Sequence, residues 1–300
     1  MTTRRALLLA NPAARGTTDV LGDALARLRT LGVEVAGAPF DDPARFGDAL
    51  RAAAPAADLA IVAGGDGTLH HALGDLLAAG LPLGILPFGT ANNVARTLGL
   101  PQDPVDAVEA IGRGAMRRID VGRVNGRPFL TTASLGLSVA ITEALDPGVK
   151  RRFGALAYAL ASARVLRRAR PFHATIRWEG GHLRSRTVQV VVGNGRYYGG
   201  ALPVAEDATI DDHALDLYSL EVRHWWQLLG VAPQLRRGVH GKRDDVAALR
   251  ARWIEVETDH PMPIDADGEL VAETPARFEV EHRALAVFMA PFTPAETAVP

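Results

Sequence analysis

Two short stretches of the chain join glycine to single polar side chains in a way that suggests chemistry. The first is Gly64-Gly65-Asp66-Gly67-Thr68, set between the apolar run ADLAIVAG and a segment of helical periodicity. Glycines admit positive φ and let a ligand touch the main chain. Unpaired N–H groups at a helix start favour an anion, phosphate above all. The stretch fits neither G-x-x-x-x-G-K-[ST] nor G-x-G-x-x-G, so it is neither of the two common nucleotide loops. Asp66 is its informative residue, because an acid in a phosphate site repels the ligand unless a metal or a cationic side chain compensates. The strand at Gly84 to Pro87 ends in a similar turn, Phe88-Gly89-Thr90-Ala91-Asn92-Asn93, with Thr90 the candidate N-cap. The first strand also ends in a turn, Asn11 to Gly16. Three strand-to-helix turns then converge on one sheet edge, the place where open α/β sheets bind ligands. The other stretch is PIDADGE, in which Asp265, Asp267 and Glu269 alternate and would share one face of an extended segment. Its plain alternative is a solvated Asp-Gly turn between strands.

The elements that must hold these turns follow from periodicity. RRALLLA, VEVAGAPF, ADLAIVAG and LPLGILPFG read as strands, the last two apolar throughout as in a buried parallel sheet. Between them, Thr18 to Leu31, DPARFGDALRAAA, TLHHALGDLLAAG, TANNVARTLGL and DPVDAVEAIGRG read as helices, with Asp42 an N-cap and Gly80 a stop. Strands alternating with helices predict a doubly wound α/β domain. After about Arg117 the pattern changes. Hairpins are expected at Asn125-Gly126 and at Gly180-Gly181, a long helix from Lys150 to Arg170, and alternating strands in ALDLYSLEV, ARWIEVET, ARFEVEHR and ALAVFMAP. We therefore divide the chain into an α/β domain at 1–120 and a β-rich domain at 121–287.

Composition narrows the function. The 300 residues are 48% hydrophobic, enough for real cores, and the formal net charge of −1 argues against a dedicated nucleic-acid binder. There is no cysteine, which excludes disulfides and thiolate chemistry and suits a reducing cytoplasm. No apolar run approaches the roughly 18 residues of a membrane span. Lys150 and Lys242 are the only lysines, so any phosphate clamp must draw chiefly on arginine. The long helix has basic ends and an apolar middle, the form both of a packing helix and of one that rests on an anionic bilayer. His70 and His71 lie about 100° apart on their helix and do not chelate as a pair. Trp225 and Trp226 begin a further helix and could pack or line an apolar pocket.

GGDGT followed by PFGTANNVAR resembles the diacylglycerol kinase catalytic-domain superfamily, to which bacterial soluble lipid kinases and sphingosine kinases belong and to which NAD kinases are related. The resemblance continues through RRIDVGRVNG, NGRYYGG at Asn194 to Gly200, DDHALDLYSL and DADGE at Asp265 to Glu269, and so covers nearly the whole chain. The last motifs point to the lipid-kinase branch.

What the resemblance implies is an ATP-dependent lipid kinase. It would pair an N-terminal α/β domain with a C-terminal β-sandwich-like domain, carry the nucleotide in the cleft between them, and return its tail, 288–300, to the first domain. The γ-phosphoryl group would pass to a lipid hydroxyl, of diacylglycerol or a sphingoid-like lipid. Gly64, Gly65, Gly67 and Gly89 would cradle ATP, with Asn11, Thr68, Thr90 and Asn92 as its polar neighbours. Asp66 would organise the nucleotide and its Mg²⁺. Asp267 would be the general base with Glu269 beside it, and Asp120 an acid of the same network. Asp212 is the candidate ligand of a structural metal, in a segment where the usual glycine after the aspartate is His213, a residue type that tolerates positive φ better than most. Arg15 stands near the place of a family lysine, and Lys150 to Arg152 precede Phe153, Gly154, Ala157 and Tyr158, which match a family FGxxAY pattern. Lipid substrate, transient contact with a membrane surface from the cytoplasmic side, no nucleic acid, and a homodimer through exposed sheet edges complete the expected partners. An NAD kinase-like enzyme and a catalytically silent lipid- or nucleotide-binding regulator are the alternatives.

Overall fold

The structure, a computed structural model, describes residues 3–11, 17–36, 40–53, 56–113, 116–144, 165, 170–195, 197–198, 202–203, 209–221 and 246–289. The chain divides into two compact units, Met1–Ile119 with Ala284–Pro300, and Asp120–Arg283.

The first unit is built on parallel strands β1 (Arg4–Ala10), β2 (Val33–Val35), β3 (Leu59–Gly64) and β4 (Leu83–Pro87), in the order β2-β1-β3-β4. Helices α1 (Thr17–Thr30), α2 (Pro43–Ala53), α3 (Asp66–Ala79), α4 (Asn93–Thr97) and α5 (Pro104–Arg113) fill the connections. Every residue of β3 is buried, as its unbroken apolar sequence requires. Burying Leu59, Ile61 and Val62 contributes roughly 1.5–3 kcal/mol each. Alternation assigns the faces. Ala6 and Leu8 of β1 and Leu59 and Ile61 of β3 join Ala24 and Leu28 of α1 and Val108 and Ile111 of α5 in one core. Leu7, Leu9, Ala60 and Val62 point the opposite way, where α2 and α3 pack together. Local chemistry sets the helix ends. The Asp42 carboxylate accepts the Ala44 N–H at 2.9 Å ahead of α2, and Asp103 accepts those of Val105 and Asp106 at the start of α5. Gly80, at φ 66°, closes α3 by donating its N–H to Leu76 O.

The second unit is a β-sandwich. Strand β5 (Met116–Val124) enters it and forms a hairpin with β6 (Arg127–Phe129) through Asn125 and Gly126, both at positive φ, the geometry of a two-residue hairpin turn. After β7 (Thr132–Gly136) and α6 (Leu137–Ala144) come β8 (Phe172–Trp178), β9 (Gly181–Thr187), β10 (Gln189–Gly193), the small ribbon of β11 (Tyr197–Tyr198) and β12 (Leu202–Pro203), β13 (Leu215–Leu220), β14 (Val246–Ala251), β15 (Trp253–Thr258), β16 (Pro263–Ala266), β17 (Glu269–Glu273) and β18 (Ala276–Phe288). One sheet runs β14-β13-β10-β7-β16-β17; facing it, β15 pairs with the first part of β18 and with β8, which pairs with β9. Phe172, Ile176, Ile254 and Phe278 from one sheet meet Leu135, Val190, Leu217 and Ile264 from the other in a single apolar core. The final residues of β18 belong to the first unit, where Val287 pairs in parallel with Leu83 of β4.

Some sequence expectations need correction. Among the described residues of VEVAGAPF, Val33–Val35 is strand, Ala36 is not, and Phe40 bridges to Leu9. TANNVARTLGL is helical only over Asn93–Thr97, because Asn92 precedes it and Gly99 follows it in left-handed conformations, φ 48° and 68°. The long helix expected from Lys150 to Arg170, the helix at Trp225 and Trp226, and the tail beyond residue 289 lie outside the described residues.

Candidate functional site

In the first unit the sheet register sets Asn11, which opens the first turn, beside the second turn, and the second beside the third. Ala10 pairs with Ala63, and Gly64 pairs with Pro87. The N–H of Asn11 therefore reaches Ala63 O at 3.0 Å, and that of Phe88 reaches Gly64 O at 3.0 Å, carrying the ladder into the turns. Asn11 Nδ2 donates to Thr68 Oγ1 at 3.3 Å, linking the first turn to the second.

The second and third turns meet main chain to main chain. A Cβ on Gly89 would stand 2.6 Å from Gly65 Cα, and one on Gly65 would stand 3.0 Å from Gly89 Cα. Gly64 has no room either, since a Cβ there would lie 2.6 Å from Thr68 Oγ1. Gly65 and Gly89 are thus required for close approach of two backbone turns.

Asp66 joins the same two turns. Its Oδ2 accepts the Asn93 N–H at 3.0 Å and its Oδ1 the Val94 N–H at 3.1 Å. The carboxylate of one turn thus caps the helix that begins the next. This overturns the reading of Thr90 as the cap of α4: Thr90 is exposed, Asn92 is the N-cap residue, and the cap bonds come from Asp66. It also answers the electrostatic puzzle of an acid in this turn, since main-chain N–H groups at a helix start offset its charge. Asn92 is buried and closes its own turn, accepting the Gly89 N–H at 2.9 Å and donating to Gly89 O at 3.0 Å. His71 lies over Gly67 O at 2.7 Å, and its ring meets that of His70 edge-on, an arrangement of helix packing. Arg15 and Lys150 to Tyr158 lie outside the described residues.

In the second unit Asp267 and Gly268 form the two-residue turn between β16 and β17, both at positive φ, 53° and 99°. The expected extended face of Asp265, Asp267 and Glu269 is therefore broken by a hairpin. The turn is anchored rather than simply solvated. Asp267 Oδ2 accepts the Leu130 N–H at 2.7 Å, while Oδ1 accepts the Thr131 N–H at 2.8 Å, its hydroxyl at 2.5 Å and the Thr132 N–H at 3.3 Å. Glu269 is exposed at the start of β17. Asn194 grips the same segment, donating its main-chain N–H to Thr131 O and Nδ2 to Leu130 O at 2.9 Å. Its Nδ2 also donates to Asp120 O at 3.0 Å.

Asp120 is 1% exposed and gathers a second set of partners. Its Oδ2 accepts the His213 N–H at 2.6 Å, and its Oδ1 accepts the Arg283 N–H at 2.7 Å and lies 2.9 Å from His282 Nδ1. The rings of His213 and His282 stack at 4.3 Å. His213 occupies the glycine-like position at φ 60°. One residue earlier, Asp212 accepts Thr209 N–H and hydroxyl on Oδ2 and the Ala214 N–H on Oδ1, and pairs with Arg250.

Sequence reasoning missed Thr131, His282, Arg283 and Arg250, as well as the N–H groups of Asn93 and Val94. None stands near its partner in the chain, so no local pattern could have found them. Asn194 was visible only as part of NGRYYGG.

Two family models match end to end along the chain: the diacylglycerol kinase catalytic domain over residues 5–124, and the YegS C-terminal NAD kinase beta sandwich-like domain over residues 131–289. The chain belongs to the diacylglycerol kinase catalytic-domain family. Within that family it is 32% identical to a protein of Bacillus subtilis (strain 168) named diacylglycerol kinase, over 81% of this chain and 82% of the other. It is 33% identical to a Stenotrophomonas maltophilia (strain K279a) protein named "Probable lipid kinase YegS-like", over 93% and 94%. A crystal structure of a diacylglycerol kinase from Bacillus anthracis str. Sterne superposes with a TM-score of 0.78 at 26% identity, covering 97% of this chain and 99% of that one. No helix among the described residues is long and apolar enough to cross a membrane.

Proposed function

We propose that the protein is an ATP-dependent lipid kinase, transferring the γ-phosphoryl group to a lipid hydroxyl. Diacylglycerol is the first candidate acceptor, with a sphingoid base, ceramide or another glycerolipid behind it. The observation that carries this reading is the approach of Gly65 to Gly89, where neither turn has room for a Cβ. Two turns stripped of side chain at the carboxyl ends of adjacent parallel strands are suited to a polyphosphate, which needs main-chain donors and no steric competition.

Phosphoryl transfer asks the protein chiefly for positioning and charge neutralisation. Asn11, Thr68 and Thr90 supply polar contacts beside the glycine turns, and Asp66 fixes the two turns together. Mg²⁺ suits Asp66 in one respect: this ion is commonly held by one or two carboxylates together with substrate phosphates. When bound, the ion would offset phosphate charge. Asp267 takes the proton of the acceptor hydroxyl as the new P–O bond to that oxygen forms and the bond from the γ-phosphorus to the β–γ bridging oxygen breaks, ADP leaving with the bond's electron pair. Its four donors fix the plane of the carboxylate. Asn194 and Thr131 are positioning residues for Asp267.

The test is transfer of labelled γ-phosphate from ATP to a lipid panel in mixed micelles, with NAD alongside. Labelled lipid is the expected product. Label on NAD alone would move the protein to the related branch, and folded protein that binds ATP and labels nothing would count for the silent regulator.

A further inference from the structure

The turn before β13 is the place where the family resemblance implies a structural metal, with Asp212 as its ligand. The residues present do not suit one. Divalent hard cations take six or more oxygen ligands. Asp212 Oδ2 already takes two donors, the Thr209 N–H and hydroxyl, which fill its lone pairs, and Oδ1 accepts the Ala214 N–H. A cation is nevertheless supplied. Arg250 of β14 stands directly across from Asp216 of β13 in the antiparallel register, and its guanidinium Nη2 pairs with Asp212 Oδ2. The Asp212 side chain is 19% exposed and that of Arg250 39%, so the pair lies at the surface with its acidic partner the more buried.

We propose that the guanidinium of Arg250 does in this chain what a bound divalent ion would do: it straps the Thr209–Ala214 turn to the neighbouring strand, so that the turn needs no metal. The consequence reaches further than the turn, because the next residue, His213, gives its N–H to Asp120. Arginine is suited to the task, since its charge is permanent and its planar fork matches a carboxylate.

The test is thermal unfolding of wild type, Arg250→Met and Arg250→Lys, without nucleotide, first in EDTA and then with Mg²⁺ or Mn²⁺ alone. Metal content after desalting is measured by mass spectrometry. Wild type should hold no stoichiometric divalent metal and melt at one temperature under all conditions. Arg250→Met should melt about 2–4 °C lower. Arg250→Lys, which keeps a charge and should fold even if the methionine variant does not, should melt independently of EDTA. The proposal is overturned if wild type loses stability in EDTA and regains it with Mg²⁺, if Arg250→Met melts with wild type, or if Arg250→Lys becomes sensitive to EDTA.

Discussion

Replacing Asp66 with alanine separates two roles that coincide in one carboxylate. The side chain receives two main-chain N–H groups, at 3.0 and 3.1 Å, from residues 27 and 28 positions further along. Those donors belong to Asn93 and Val94, which are 8% and 2% exposed. Hydrogen bonds to a charged acceptor contribute about 1.5–3 kcal/mol each, and loss of a helix cap costs about 0.5–2 kcal/mol. The two bonds share one acceptor group and one helix end, so the terms overlap, and a net loss of about 2 kcal/mol follows. Against a urea dependence of roughly 1–3 kcal/mol per molar, the midpoint should fall by about 1 M. The assay must watch the correct unit. All four tryptophans, Trp178, Trp225, Trp226 and Trp253, lie in the second unit, whereas α1 to α5 lie in the first. Helical circular dichroism in urea should therefore report the loss, with ATP binding measured separately by calorimetry. If Asp66→Ala unfolds at the wild-type urea concentration while losing ATP, the carboxylate acts on the nucleotide alone and the bracing role is wrong.

Other substitutions test neighbouring claims. Gly89→Ala places a methyl 2.6 Å from both Gly65 Cα and Asn92 Oδ1, and should weaken ATP binding by about tenfold or more in calorimetry, a differential of about 1.4 kcal/mol. Asp267→Asn keeps the shape but presents an amide NH₂ to at least one main-chain donor; kcat should fall about a hundredfold or more with the ATP Kd unchanged, and an unaltered kcat removes Asp267 from the reaction. Asn194→Asp turns a buried donor pair into a carboxylate facing the carbonyls of Asp120 and Leu130; it should destabilise by about 2–4 kcal/mol, more than Asn194→Ala, as read from tryptophan fluorescence in urea.

Much of the first unit was legible because its signals are local. ADLAIVAG could only be buried on both faces, Asp42 and Gly80 act within their own turns, and Gly64 and Gly65 of the second turn mark places where a side chain does not fit. The hairpin at Asn125-Gly126 was readable for the same reason. The errors share a cause as well. TANNVARTLGL has helical apolar spacing, but two left-handed residues, Asn92 and Gly99, cut it to five. PIDADGE alternates like a strand, but Asp267 and Gly268 turn it. Periodicity shows which face a residue would take if the element continued, and it is silent about backbone positions at which the element stops.

The conspicuous acids of the chain show why their partners were the hardest part to read. Asp66 accepts N–H groups from residues 93 and 94, Asp120 from 213 and 283, and Asp267 from 130, 131 and 132. Each carboxylate is a single short side chain that fixes a remote turn by its main chain. Main-chain donors have no residue signature, because every residue except proline supplies the same N–H, so selection for this contact is written only on the acidic side. The same feature suits acids to a site that handles charge, since a carboxylate already fixed by main-chain donors needs little rearrangement when a substrate binds. It also makes alanine the wrong probe of catalysis at these positions, for it removes the brace and the chemistry together. Asparagine retains one acceptor oxygen, so the difference between the asparagine and alanine variants at Asp66 and Asp267 measures the brace. Loss of turnover that persists in an asparagine variant as stable as wild type measures the chemistry.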